Sequence, residues 1–357
     1  MYKLEELGWG KLWEEKFSTH LSNGFLPGRI AVENKNNYLV YFEGGETLAE
    51  NSGRLIFMSD DPSALPKVGD WVAIQKFDGS NAIIHEVLER KTKLSRKVAD
   101  KNYSEQVLVT NIDFVFIVQS LDSNYNFNRL ERYLVTVFES GAEPIIVLSK
   151  SDLCDSVDSK VEEIQRAYPK VAVVTTSSIT ETGIDKLEGF LEAGKSHVFL
   201  GSSGVGKSTL INKLFDEDKI KTGDVRISDG KGKHTTTKRE LIVLPGKGML
   251  IDTPGMRGLQ LWSANGGIEK TFDEFEEIAE KCRFTDCTHT HETGCAVIEA
   301  VEEGSIPESR YENYLKLRKE LRYLETKIDY NARMEEKKKW MEIKQSYRKY
   351  FKGKKGN

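Results

Sequence analysis

Nine residues in the second half of the chain carry the clearest chemical signal. Gly201-Ser202-Ser203-Gly204-Val205-Gly206-Lys207-Ser208-Thr209 fits the pattern G-x-x-x-x-G-K-[ST], with Gly201, Gly206, Lys207 and Ser208 at its defined positions. Glycines let a backbone turn its N–H groups inward around phosphate oxygens, and the positive end of a following helix strengthens that field. The flanks suit such a loop: 196–200 (S-H-V-F-L) predicts the end of a strand and 208–214 (S-T-L-I-N-K-L) the opening of a helix. In this reading Lys207 reaches the β- and γ-phosphates and the Ser208 hydroxyl ligates Mg²⁺. Alone, the loop would serve an ATPase, a kinase or a GTPase equally well.

Other segments narrow the choice. Ser149-Lys150-Ser151-Asp152 closes an apolar run and resembles the N-K-x-D guanine-reading motif of GTPases, with Ser149 where Asn is usual. By that resemblance Asp152 accepts hydrogen bonds from the guanine N1–H and 2-amino groups, and the Lys150 stem lies along the base. A buried bidentate acceptor of this kind leaves adenine without a partner, which rejects ATP. Ser177-Ser178 resembles the S-A turn whose backbone N–H reads guanine O6. Downstream, M-L-I-D-T-P-G-M-R (249–257) predicts a strand delivering Asp252 beside Mg²⁺, with the Gly255 N–H offered to the γ-phosphate. One of Thr235, Thr236 and Thr237, in a Gly- and Lys-rich stretch, is expected to cap the metal, so that this segment orders with triphosphate and releases after hydrolysis. Met256 stands where many GTPases carry a water-orienting Gln, and a thioether cannot polarise water. His234, beside the threonines, is the candidate for that role, with contact to a partner as the other reading.

A third cluster is C-R-F-T-D-C-T-H-T-H-E-T-G-C. Its Cys282, Cys287, His289 and Cys295 supply three thiolates and one imidazole, a closed set suited to one structural Zn²⁺. His291, two residues on, is a rival for the histidine position. Cys154 stands apart and reads as a small core residue. Toward the end of the chain, K-K-K-W-M-E-I-K-Q-S-Y-R-K-Y-F-K-G-K-K interleaves bases with Trp340, Tyr347, Tyr350 and Phe351. It reads either as an RNA-contacting tail or as a solvated basic one.

The elements that must position these groups show in the hydrophobic period. Residues 1–25 predict a short amphipathic helix with Leu7, Trp9, Leu12, Trp13 and Phe17 apolar. From Gly28 the period becomes two, and 28–33, 37–42, 52–58, 70–77 and 81–88 predict five short strands, suited to a small OB-type β-barrel. That barrel either binds oligonucleotides or only supports its neighbour. The basic 90–97 (R-K-T-K-L-S-R-K) reads as a phosphate-contacting rim or a solvated linker. The run 107–118 (V-L-V-T-N-I-D-F-V-F-I-V) predicts one buried strand. Helices near 127–140 and 157–168, strands at 143–152 and 171–178, and a helix from about Gly183 then alternate, as a parallel sheet covered on both faces requires. From 308 a helical stripe of Tyr311, Tyr314, Leu315, Leu317, Leu321 and Leu324 follows. The expected domains are a helical extension (1–27), an OB-type barrel (28–100), an α/β nucleotide domain (101–265) and a helical zinc-binding domain with a basic tail (266–357). In 357 residues of which 30% are charged, no apolar run is long enough for a membrane span. The start lacks the apolar core of a signal peptide, and four cysteines, three of them clustered, point to a reducing compartment and a metal site.

The order of motifs is informative. In ordinary GTPases the phosphate loop comes first and the guanine readers last; here 149–152 and 177–178 precede 201–209, a circular permutation. The permutation runs the γ-phosphate segment straight into the cysteine cluster. With V-G-D-W-V (68–72), G-K-H-T-T-T (232–237), D-T-P-G-M-R (252–257) and C-R-F-T-D-C-T-H…G-C-A-V (282–297), nearly the whole chain resembles the ribosome small-subunit-dependent GTPase A family. The resemblance implies an OB barrel, a circularly permuted P-loop GTPase and a zinc domain in this order. It also implies binding of GTP and GDP, hydrolysis stimulated by the small ribosomal subunit and its rRNA, and a cytoplasmic role in late maturation of that subunit. A monomer is expected. The alternative is a divergent paralogue, a GTP-gated RNA-binding checkpoint protein with negligible turnover.

Overall fold

A computed structural model describes residues 2–59, 61–77, 81–97, 105–214, 239–252, 262 and 266–353. A 3₁₀ turn (Glu5–Leu7) and helix α1 (Lys11–Ser22) open the chain and bury Leu7, Trp13 and Phe17. The rings of Trp9 and Trp13 lie 4.7 and 6.1 Å from that of Trp71, which is fully buried. The N-terminal segment therefore packs on the domain that follows, and Leu12 is left 43% exposed.

Five strands form that domain: β1 (Leu26–Glu33), β2 (Tyr38–Phe42), β3 (Gly45–Asn51), β4 (Trp71–Gln75) and β5 (Ala82–Val87). They pair in the order β1-β2-β3-β5-β4, and β4 returns to β1 to close a barrel. Closure removes the sheet edges, as in an OB fold. One expected strand is not there. Residues 52–58 form helix α2 (Gly53–Met58), and the third strand is the preceding G-E-T-L-A-E-N. Ser52 decides the matter locally: its side chain accepts the Leu55 N–H at 3.1 Å, an N-cap that starts a helix. The apolar Ile56, Phe57 and Met58 that suggested a strand point to solvent.

The run 107–118 also differs from expectation. It divides into β7 (Glu105–Thr110), which pairs with β6 (Lys93–Lys97) as an antiparallel hairpin, and β8 (Phe114–Ser120). Asn111 breaks it, in a left-handed conformation with φ 51°. Asn tolerates that region, and its side chain accepts from the Lys91 N–H (2.8 Å) and donates to the Gly69 carbonyl (3.0 Å). The basic stretch is no solvated linker. Arg90 clasps the buried Asp70 through Nε and Nη2 (2.9 and 2.8 Å) and donates to the carbonyls of Ser63 and Leu65.

The second sheet adds β9 (Glu143–Ser149), β10 (Ala172–Thr175), β11 (Ser196–Leu200), β12 (Glu240–Leu244) and β13 (Gly248–Asp252). Its order is β10-β9-β8-β11-β13-β12, parallel except for the β12–β13 pair. Helices α3 (Phe127–Ser140), α4 (Val157–Ala167), α5 (Ile184–Glu188) and α6 (Lys207–Leu214) connect it. From β8 the chain steps outward to β9 and β10, then returns to lay β11 on the other side of β8. The strand order therefore reverses between β8 and β11, and ligands of open α/β sheets bind outside the carboxyl ends at such a point.

Four C-terminal helices (Gly267–Thr271, Asp273–Ala279, Ala296–Glu302 and Glu308–Gly353) share a core of Phe272, Phe275, Val297, Ile306, Tyr314 and Leu317, with Val135 of α3 joining it. The tail residues Trp340, Tyr347, Tyr350 and Phe351 lie on the last helix, with side chains outside the described residues. No described helix is long and apolar enough to cross a membrane. The joint between this unit and the sheet is polar. Glu131 of α3, fully buried, accepts from Arg310 Nε (3.0 Å), Tyr168 Oη (3.1 Å) and Asn313 Nδ2, and Arg310 also meets Glu274 at 2.6 Å. Breaking a buried pair strands its partner, so Glu131→Ala is expected to lower stability by about 3–5 kcal/mol. A shift of the denaturant midpoint measures this, and a midpoint unchanged from the parent would show that Arg310 is satisfied without Glu131.

Candidate functional site

The phosphate loop leaves the carboxyl end of β11 and enters α6 at Lys207. Gly201 adopts φ 150°, and a Cβ there would come within 2.4 Å of the Val118 carbonyl, so only glycine lets the loop leave β11 this close to β8. Val205 is fully buried and anchors the loop in the core under α6. The outward part, Ser203, Gly204, Ser208 and Thr209, is exposed, with Ser202 and Gly206 half-buried. Lys207 Nζ lies across the loop and donates to the Gly201 (2.8 Å) and Ser202 (2.7 Å) carbonyls. Asp252 ends β13, the strand beside β11, and is exposed there.

The two segments expected to read guanine meet at adjacent strand ends, through Asp152 and Ser177, 25 residues apart. Lys150 follows β9 in a left-handed conformation (φ 56°), and a 3₁₀ turn (Ser151–Leu153) places Asp152. Asp152 Oδ1 accepts from the Ser177 hydroxyl, and the Ser151 N–H donates to the Thr176 carbonyl at 3.1 Å. The Ser177 hydroxyl oxygen in turn accepts the N–H groups of Ile179 (3.2 Å) and Thr180 (3.1 Å), which fixes the turn carrying the half-buried Ser178. Ser149 is buried, and its hydroxyl reaches two carbonyls, Val205 at 2.6 Å and Gln119 at 3.2 Å. The short side chain at the Asn position thus ties the reader strand directly to the phosphate loop.

Two residues with clear geometry escaped the motif reading. Asp122 Oδ2 pairs with Lys150 Nζ at 2.8 Å, while its Oδ1 accepts from the Ser120 hydroxyl (2.7 Å) and the Asn124 N–H (2.9 Å). The Lys150 hydrogen bond, then the Ser120 one, holds the Asp122 carboxyl well down, to about 2. Asn124 Nδ2 donates to Ser202 Oγ in the phosphate loop at 3.1 Å. Both sit in S-L-D-S-N-Y-N just past β8, on the other wall of the crevice. The available signal was position, a polar cluster at the carboxyl end of the strand flanking the switch point. His234, Thr235, Thr236, Thr237, Gly255 and Met256 lie outside the described residues. A larger cavity of about 810 Å³ lies between α4 and the C-terminal helices, lined by Lys160, Arg166, Glu274 and Arg310 among others, and contains no phosphate-loop residue.

The cysteine cluster closes on itself. The donor atoms of Cys282, Cys287, His289 and Cys295 all lie within 4.8 Å of one another. Cys282 Sγ is 3.9 Å from Cys295 Sγ, and His289 Nδ1 is 3.7 and 3.4 Å from those two sulfurs. Tetrahedral zinc, with bonds of about 2.3 Å to sulfur and about 2.0–2.1 Å to nitrogen, separates neighbouring donors by about 3.5–3.8 Å. The donor set fits that ion. Of the two rival histidines, His289 is buried and aimed at the sulfurs, whereas His291 is exposed and bonded to Thr290. Outer contacts hold the ring in place: Tyr311 Oη donates to the His289 carbonyl (2.6 Å), and Glu292 gathers the N–H groups of Thr288, Thr290 and His291.

Comparison with known proteins agrees with this architecture. The family model described as RsgA GTPase matches residues 87–262. The small ribosomal subunit biogenesis GTPase RsgA of Opitutus terrae is 40% identical over 97% of each chain, and the protein of that name from Methanosarcina acetivorans is 40% identical over 97% of this chain and 92% of its own. Among solved structures, YjeQ from Thermotoga maritima aligns with a TM-score of 0.63 at 31% identity, covering 83% of this chain and 98% of that one. YloQ, a circularly permuted GTPase, aligns with a TM-score of 0.59 at 25% identity, covering 84% and 95%. With a closed five-stranded barrel, a permuted nucleotide sheet and a Cys/His cluster in one chain, and relatives matched over nearly its whole length, this chain belongs to the RsgA GTPase family.

Proposed function

We propose that this chain is a Mg²⁺-dependent GTPase that docks on the small ribosomal subunit through its rRNA, hydrolyses GTP there, and acts in the cytoplasm, as a monomer, late in maturation of that subunit. The observation that carries the reading is a pair of polar clusters that meet across the crevice at Lys150-Ser151-Asp152. Asp152 bonds to Ser177 on one side, and Lys150 leads through Asp122 and Asn124 to the phosphate loop at Ser202 on the other. One end suits a guanine edge and the other a phosphate chain, and names of the relatives supply the partner. In this reading the segments 1–27, 28–100, 101–265 and 266–357 serve as extension, barrel, GTPase and zinc domain.

Asp152 and the Ser177–Ser178 turn read the base, and Lys150, steered by Asp122, lies along it. The N–H groups of Gly201–Gly206 cradle the phosphates, and Lys207 leaves its carbonyl partners for the β- and γ-oxygens. Ser208, Asp252 and Thr236, with Thr235 alongside, would hold Mg²⁺, which would supply charge neutralisation for the leaving diphosphate. The Gly255 N–H holds the γ-phosphate, and His234 orients the attacking water when rRNA is bound. Cys282, Cys287, His289 and Cys295 hold zinc with no ligand position left open, so the ion stabilises the C-terminal unit and takes no part in the reaction.

GTP turnover of the purified protein is expected to rise by at least tenfold on adding purified small subunits and to stay flat with large ones. Equal turnover with and without small subunits would favour a checkpoint protein. His234→Ala is expected to keep nucleotide affinity within about threefold and lose the stimulated turnover; unchanged stimulation would remove His234 from catalysis. ATP is expected not to displace GTP at a hundredfold excess, and Asp152→Ala to lose guanine binding. For zinc, elemental analysis is expected to give one ion per chain, and Cys295→Ser to lose the ion and unfold at lower temperature. A fully loaded Cys295→Ser protein would break the assignment.

A further inference from the structure

A second, smaller cavity lies at the opposite edge of the nucleotide sheet, where β8 and β11 begin and the N-terminal segment crosses the barrel. Its volume is about 180 Å³, and its charged lining residues are Lys11, Arg29, Lys91, Lys195 and Asp113. Four cations face one carboxylate. Asp113 is already shared, at 3.2 Å from Lys91 Nζ and 3.5 Å from Lys195 Nζ, and it also accepts the Ser196 N–H (3.0 Å) and hydroxyl (3.1 Å). Lys11 has no ion-pair partner among the described residues. Arg29 is 2% exposed, and its Nε has no hydrogen-bond partner there.

The backbone adds to this charge. Gly10 and Lys11 line the cavity, and they are the N-cap and first residue of α1, a helix of 12 residues. No side chain caps that end; the Trp13 N–H bonds to the Gly10 carbonyl, which leaves the Lys11 and Leu12 N–H groups and the positive end of the helix dipole for an anion. Arg29 donates through both Nη atoms but keeps a buried Nε without a partner, and burying that charge is costly unless a negative group lies near. The more exposed Lys11, Lys91 and Lys195 add positive potential around it.

We propose that this cavity binds a phosphate group. Its size restricts the ligand: sites for drug-sized molecules run from about 300 Å³ upward, so a single tetrahedral oxyanion fits and a whole nucleotide does not. The oxyanion comes either from free phosphate or from the backbone of an RNA strand whose sugar and base stay outside. Bound there, it bridges α1, the Arg29 strand of the barrel and the strand that ends in the phosphate loop. The proposal is independent of the guanine assignment.

The test uses the full-length protein saturated with GDP and Mg²⁺, so that the phosphate loop is filled. Inorganic phosphate is titrated in by calorimetry and by thermal melting at constant ionic strength. One saturable site is expected, with a rise of a few degrees in Tm. Lys11→Glu, a change at an exposed and unpaired side chain, is expected to weaken phosphate binding at least tenfold while GDP affinity stays at the parent value. Competition by a short single-stranded oligoribonucleotide assigns the site to an RNA backbone; failure of the oligonucleotide with retained phosphate binding assigns it to the free anion. No saturable binding to the GDP-loaded protein, or stabilisation of equal size in Lys11→Glu, as kosmotropic salting would give, overturns the proposal.

Discussion

One buried guanidinium ties the N-terminal turn and the barrel to the nucleotide strands, within an apolar core that both share. Arg29, on β1 of the barrel, donates to the Leu7 carbonyl, to the Asn111 carbonyl at 3.0 Å and to Ser196 Oγ at 3.4 Å, and it lies 5.4 Å from the Trp71 ring centre. Those partners belong to the N-terminal turn, the break between β7 and β8, and the first residue of β11. The backbone also joins barrel and nucleotide strands into one eleven-stranded sheet, through the antiparallel pair β1–β12 with Val32 opposite Glu240. Burial opposes the charge and pulls the Arg29 pKa down to about 10, while Asp113 and Asp70 work the other way. A neutral side chain could not serve three carbonyl and hydroxyl acceptors at once. Because Ser196 starts the strand that ends at Leu200, just before Gly201, the barrel is linked through one strand to the phosphate loop.

At the far end of that strand the same logic of short polar links recurs. Ser149 bonds to the Val205 carbonyl, Asn124 to Ser202, and Asp122 to Lys150. The Asp122 and Asn124 links join the end of β8 to its neighbours β9 and β11, and the Ser149 link spans past β8 from β9 to the loop after β11, so the three strand ends are held together. Ser149 shows how a departure from the usual motif residue can be absorbed. Its hydroxyl is short, but the strand end is close enough to the loop for a 2.6 Å bond.

The C-terminal unit is held by a polar joint backed by an apolar core. Glu131, Arg310, Asn313, Tyr168 and Glu274 form one buried network, and Arg132 pairs with Glu320 beside it at 2.9 and 2.7 Å. Charged groups of this kind fix orientation because few geometries satisfy all of them. The network fastens the long helix to α3, which follows Asp122 and Asn124 in the chain. The crevice residues Asp122 and Asn124 thus lie a few residues before the α3 contacts to the C-terminal unit that carries the Cys/His cluster.

Local sequence was enough for features set by local physics. The phosphate loop, α3 at 127–140, β11 at 196–200, the five-stranded barrel and the Cys/His cluster are all legible, because glycine freedom, hydrophobic period and ligand spacing act within a few residues. Where a capping side chain or a long-range partner decided the outcome, the period misled. The apolar 52–58 became a helix under its Ser52 cap, the run 107–118 broke at Asn111 for contacts with Gly69 and Lys91, and basic Arg90 went inward to Asp70. The choice between His289 and His291 and the placing of Asp122 and Asn124 belong to the same class. Linear spacing treats the two histidines alike, and no motif marks the two crevice residues. Only the packed chain shows which imidazole faces the sulfurs and which strand ends share a crevice, because those relations join residues that are neighbours in space and distant in sequence.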